Sequence, residues 1–244
     1  MFETSFGTVY AAMGKAVDPA RPALIHGDHV TTWGDYDRRT DALAAAFLAA
    51  GAVAGDRVAH LMRNSPAYLE TTGAAFKARL VHVNVNYRYT GEELFYILDN
   101  SDAAVLVYDA EFAGLVGSIR NRLNVKLFLQ VGGETADFAQ DFETVATSGL
   151  PLAAQAHDPA DMLFIYTGGT TGLPKGVMWD QGALWQLLGG GASLGAEPPA
   201  SLDALVANAV AGIGTNRSLV LPPLMHGTGT VSYTHLRAHE TGRN

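Results

Sequence analysis

Cysteine is missing from all 244 residues. That excludes a disulfide framework, a thiol nucleophile and a zinc–thiolate site, and it suits a reducing, cytoplasmic compartment. Positive charge is scarce: 16 Lys and Arg stand against 24 Asp and Glu, a net charge of −8. With no local basic cluster, no nucleic-acid-binding surface is expected. No apolar run is long enough to span a bilayer, so no transmembrane segment is expected. The first residues, Met1-Phe2-Glu3, lack the basic-then-apolar pattern of a secretory signal. The sequon Asn216-Arg217-Ser218 is therefore not expected to carry a glycan. A hydrophobic content of 48% is ample for a core.

What the chain does have is one dense stretch: Thr167-Gly168-Gly169-Thr170-Thr171-Gly172-Leu173-Pro174-Lys175-Gly176. An apolar run, Met162 to Tyr166, leads in as a buried strand, and Val177-Met178-Trp179 leads out as another. Glycines let backbone amides turn toward a ligand and approach it closely. Threonine hydroxyls and a lysine ammonium add donors, and successive amides make an anion-binding concavity. A phosphate chain suits such a set. The G-x-x-x-x-G-K-[ST] pattern fails, because Leu173 and Pro174 separate Gly172 from Lys175. The dinucleotide G-x-G-x-x-G pattern fails too, since Gly168 and Gly169 are adjacent. A plain surface turn would need neither three threonines nor the lysine.

Around this stretch, helical and strand patterns alternate. Thr8–Val17 reads as a helix ended by Asp18-Pro19, and Gly27-Asp28 as a hairpin turn. Thr32 and Asp35 form a capping-box variant opening a helix to about Ala50. Arg57–Met62 is a strand, and Ser65-Pro66 opens a helix. Arg79–Asn86 alternates, which predicts a strand with two unlike faces. Thr90-Gly91-Glu92-Glu93 is a full capping box. Ala103–Tyr108 and Val125–Val131 are strands flanking a helix over Ala110–Arg122. Gly189-Gly190-Gly191 and Glu197-Pro198-Pro199 bracket a predicted surface insertion, Ser201 caps a helix to Val210, and Arg217–Leu221 is a strand. The predicted class is α/β: mixed, largely parallel sheets with helices on both faces. His60 and His82, on strands, are expected to be satisfied structural residues.

Tyr166 to Gly176 resembles the phosphate-binding signature of the adenylate-forming superfamily, Tyr/Phe-Thr-Ser-Gly-Ser/Thr-Thr-Gly-x-Pro-Lys-Gly, with Gly168 in place of the usual serine. Asn86-Tyr87-Arg88-Tyr89-Thr90-Gly91-Glu92-Glu93-Leu94 and Pro222-Pro223-Leu224-Met225-His226 also resemble segments of acyl-CoA synthetases, within residues 1–230. Val177-Met178-Trp179 is similar to fatty- and steroid-acyl-CoA synthetases of actinobacterial type. The resemblance implies an acid–thiol ligase using ATP, Mg2+ and coenzyme A on a fatty or steroid side-chain carboxylic acid. It implies that Thr167, Gly168, Gly169, Thr170, Thr171, Gly172 and Lys175 hold the ATP phosphates, with Lys175 and Thr170 catalytic. It places His226 at the acyl pocket, where a capped loop histidine is the plainer alternative. An aryl-acid or luciferase-like adenylating enzyme shares the loop. A non-catalytic fragment or nucleotide-binding module is the alternative from another class.

Residues 231–244 do not fit. Val231 to Thr241 turns abruptly polar and His-rich, resembling one reading frame of a library adapter, and is expected not to be native protein. A metal site from His235, His239 and Glu240 competes, but His-Leu-Arg-Ala-His lacks the glutamate of H-E-x-x-H, and no metal ligand is predicted. The family's magnesium-binding glutamate, ribose-binding aspartate and small C-terminal domain would all follow later. The resemblance therefore implies an N-terminal portion, inactive by itself.

Overall fold

The computed structural model describes residues 2–167, 174–192, 197–213, 219–220 and 222–226, with Thr167 described by its backbone alone. The N-terminal helix α1 (Phe6–Ala16) starts where the Ser5 hydroxyl accepts the Thr8 amide. The hairpin β1 (Pro22–His26) and β2 (His29–Thr32) turns at Gly27, whose φ of +59° a side chain would resist. Thr32 caps α2 (Trp33–Ala49) by accepting the Asp35 amide and donating its hydroxyl to the Asp35 carboxylate at 2.8 Å. Then follow β3 (Arg57–Leu61), α3 (Pro66–Lys77) with Pro66 at its first turn, β4 (Val81–Asn84) and α4 (Gly91–Asn100). The chain continues through β5 (Ala103–Asp109), α5 (Ala113–Ile119), β6 (Leu127–Val131), β7 (Gln140–Asp141) and α6 (Phe142–Ala146). It ends with β8 (Met162–Thr167), β9 (Lys175–Asp180), α7 (Gln181–Leu187) and α8 (Leu202–Val210).

Seven strands form one sheet in the order β7-β6-β5-β3-β4-β8-β9. Each neighbouring pair runs parallel except β8 and β9, which are antiparallel. Alternate residues of one strand serve two cores. Val58, Val105, Val107 and Leu129 face α2 and α3, through Leu43, Phe47, Tyr68 and Ala74. Ala59, Leu61, Leu106 and Tyr108 face Leu94, Ile97 and Val116 of α4 and α5. A third cluster joins Phe6, Phe76, Leu163, Trp185 and Leu205. Burial on both faces is why the parallel strands read as near-continuous apolar runs.

The expected class holds: the sheet is mixed and mostly parallel, with helices on both faces. Several local expectations change. β4 has no solvent face: His82 and Asn84 are as buried as Val81 and Val83, because helices cover both sides. The single helix expected over Ala110–Arg122 breaks into α5 flanked by two short 3-10 turns, Ala110–Phe112 and Arg120–Arg122. Residues 193–196 of the expected surface insertion lie outside the described residues. Gly191, at φ +79°, packs against Trp185 and Leu205, where an added Cβ would lie within 3.0 Å of both. Leu219 and Val220 are not in a strand; the rest of the expected Arg217–Leu221 strand, residues 227–230 and the whole tail, 231–244, lie outside the described residues.

Candidate functional site

Within the seven-stranded sheet all strands but β9 point one way, so β3, β4, β5 and β8 end at the same sheet edge. The chain reverses sides there: β3 neighbours β4 on one flank and β5 on the other. In open α/β sheets such a carboxyl edge is where ligands bind. Thr167 is the last residue of β8, and Lys175, its partner in register, is the first of β9. The glycine–threonine stretch therefore connects two antiparallel strands whose paired ends, Thr167 and Lys175, lie at that edge. A strand, β9, follows it rather than a helix. The Lys175 side chain is exposed. Gly168, Gly169, Thr170, Thr171 and Gly172 lie outside the described residues, so their expected phosphate contacts stand as proposals.

The foot of the hairpin is built with care for polar groups. Tyr166 packs its ring over Gly176, where a Cβ would come within 3.1 Å of the ring, so glycine is the residue that fits. The Tyr166 hydroxyl donates to Asn100 Oδ1 at 2.9 Å, and the Tyr96 hydroxyl donates to the Pro174 carbonyl at 3.4 Å. Both come from α4, the helix opened by the Thr90–Glu93 capping box. The backbone of Tyr166 is gripped from the other side. Its N–H donates to Asn84 Oδ1 at 2.9 Å, and its carbonyl accepts from Asn84 Nδ2 at 3.4 Å.

The Pro222–His226 segment is tied to the same edge. The Asn64 side chain donates to the Pro222 carbonyl at 3.1 Å and accepts the Leu224 amide at 2.7 Å. The Tyr68 hydroxyl donates to the Leu224 carbonyl at 3.1 Å, and Asn84 Nδ2 donates to the Met225 carbonyl. Leu224 and Met225 are buried, whereas His226 is exposed. The two sequence-singled segments thus converge on Asn84, and Lys175 and His226 stand on solvent-facing ends of structures anchored below.

Behind the segment lie His60 and His82, both fully buried. Nδ1 of His60 donates to the Val58 carbonyl at 3.0 Å, and Nε2 of His82 meets the Tyr68 hydroxyl at 3.2 Å. Burial pushes both imidazoles down, His82 to about 4, so both are neutral. The expectation of satisfied histidines is half corrected, because His82 Nδ1 makes no hydrogen bond. Asn64, Tyr68, Asn84, Tyr96 and Asn100 are the residues that sequence reasoning missed. The only signal for Asn84 was an asparagine alternating with valines on a strand, which reads equally as a solvent-facing position.

A family model described as AMP-binding enzyme matches residues 13–240. The chain is similar to the medium-chain acyl-CoA ligase Mig of Mycobacterium avium, 36% identical over 253 residues, covering 93% of this chain and 45% of that protein. It is also similar to the 3-oxocholest-4-en-26-oate–CoA ligase of Rhodococcus rhodochrous, 34% identical over 180 residues, covering 71% of this chain and 32% of that one. The crystal structure of a long-chain-fatty-acid-CoA ligase from Archaeoglobus fulgidus shares the fold, with a TM-score of 0.72 at 21% identity, over 96% of this chain and 46% of that chain. The chain thus spans less than half the length of each of these relatives. A match running over nearly its whole length, on a sheet that carries the hairpin loop at its carboxyl edge, places the chain in the AMP-binding enzyme family.

Proposed function

We propose that this chain is the N-terminal portion, residues 1–230, of a cytoplasmic ATP-dependent acyl-CoA ligase, followed by a non-native tail at 231–244. A carboxylate attacks the α-phosphate of ATP, pyrophosphate leaves, and an acyl-adenylate forms. The thiol of coenzyme A then displaces AMP to give the thioester. Charge builds on the departing pyrophosphate, and preorganised donors stabilise it. The amides of Gly168, Gly169 and Gly172, the hydroxyls of Thr167, Thr170 and Thr171, and the ammonium of Lys175 supply these donors. Magnesium, when bound, neutralises phosphate charge. Among the described residues no three His, Asp or Glu side chains converge on a metal site, so none is given that role. His226 stands at the acyl pocket. A fatty or steroid side-chain acid is the proposed substrate class, supported by the two similar ligases and by the actinobacterial cast of Val177-Met178-Trp179.

The observation that carries this reading is the Thr167–Lys175 closure of the loop at the carboxyl edge of the sheet, beside the anchored Pro222–His226 segment. The test has two arms. Residues 1–244 should bind magnesium–ATP weakly yet give no ATP–pyrophosphate exchange with fatty, steroid side-chain or aryl acids, because loop and positioning partners act together. The same residues within a longer chain carrying the downstream region should exchange with a fatty or steroid acid. Exchange only with aryl acids would shift the substrate class. No ATP binding in either form would leave a non-catalytic module.

A further inference from the structure

We infer that Asn84 is a positioning residue that couples the phosphate loop to the His226 segment, so that occupancy of one orders the other; this rests on the loop's reading as an ATP site. Asn84 is 3% exposed, at the last position of β4. The β4–β8 ladder is short, with the single register pair Val83↔Phe164. Beyond it, the Asn84 carboxamide stands in for a strand backbone, accepting from Tyr166 N–H and donating to the Tyr166 carbonyl. It also donates to the Met225 carbonyl. The amide orientation is forced: a backbone N–H must meet the oxygen, and two carbonyls must meet the nitrogen. One rigid planar group therefore fixes the residue before Thr167 and the residue before His226 at once.

Asn64 and Tyr68 hold Pro222 and Leu224, and Asn100 and Tyr96 hold Tyr166 and Pro174. Removing the carboxamide would strand three buried backbone groups, each costly to leave unpaired, and would sever the two segments from each other. Asn84 touches no substrate; it acts through the segments it holds.

The experiment is hydrogen–deuterium exchange on residues 1–244, with and without millimolar magnesium–ATP. In the wild-type chain, ATP should slow exchange over 166–176 and, by roughly fivefold or more, at the amides of Leu224, Met225 and His226. In Asn84→Ser, ATP should still protect 166–176 while protection at 224–226 is lost. Retained protection at 224–226 in a folded Asn84→Ser chain would overturn the inference. So would wild-type protection confined to 166–176, an outcome that stands even if the variant does not fold. Protection at neither segment in the wild type would instead strike down the ATP-site reading, and the coupling with it.

Discussion

The imidazoles of His60 and His82 lie with ring centroids 4.4 Å apart, both fully buried, and Tyr68 packs against each. Neither can accept a proton without bringing a charge into the interior beside the other. In the unfolded chain both titrate near 6.5. Below that pH the unfolded state binds more protons than the folded one, so stability falls as pH drops. The window runs from about 6.5 down to about 4 for His82, and His60, held well below 6.5 by burial, adds a loss of the same sign. Desolvation is the leading cause for both.

We expect the melting temperature to decline steadily between those limits, with His82 alone contributing a loss of roughly 3 kcal/mol. His82→Gln should flatten the profile. An unchanged melting temperature from pH 6.5 to 4.5 would contradict this account.

Arg39 reaches two carboxylates. It holds Glu70, 1% exposed, through bonds of 2.9 and 3.0 Å, and Glu143, largely exposed, through bonds of 2.6 and 2.7 Å. The partners are not equivalent. Arg39→Ala should cost about 3–5 kcal/mol, since it leaves the Glu70 charge buried without a counterion. Glu143→Ala should cost about 1 kcal/mol at most, as for other exposed pairs. Urea unfolding of the two variants checks the order, and equal losses would contradict it.

Helices α2 and α3 touch at Gly73, where a Cβ would lie 2.3 Å from the Tyr36 hydroxyl and 3.1 Å from Thr40 Cγ2. That hydroxyl is itself committed to the Leu69 carbonyl at 3.0 Å. Gly73→Ala should therefore destabilise by about 1–3 kcal/mol despite alanine's better helix propensity. Adding Tyr36→Phe should recover part of the loss. A Gly73→Ala chain as stable as the wild type would show that the helices slide apart freely.

Lys175 is exposed at the start of β9, with its backbone in register with Thr167. Lys175→Ala should leave melting unchanged but lower adenylation in the longer chain by roughly a hundredfold, the usual loss for one transition-state donor. Unaltered adenylation would remove Lys175 from the site.

Residues 231–244 continue no periodicity of the preceding fold. Removing them should leave the melting temperature of the chain where it was. A clear drop would make the tail part of the fold.

Local structure was legible wherever the chain's neighbours in sequence decide it. The caps at Thr32, Ser65, Thr90 and Ser201, the Gly27 turn and the two strands around the loop all stand where side-chain chemistry within four residues puts them. The alternation of helix and strand carried the sheet class for the same reason. Misreadings fell where distant elements intervene. Helices α3 and α4, on opposite faces, turn the polar positions of β4 inward, and no window of sequence around His82 records them.

The sequence by itself determined the composition of the glycine–threonine loop, because a run of glycines, threonines and one lysine is local chemistry. It also determined that strands lead into and out of that loop. Only the tertiary structure decided that Tyr166 and Met225, 59 positions apart along the chain as 225 minus 166, share the carboxamide of Asn84. A buried amide must find its partners wherever packing delivers them. Packing here delivers them from two segments distant in sequence, which meet at Asn84 only when the sheet is assembled.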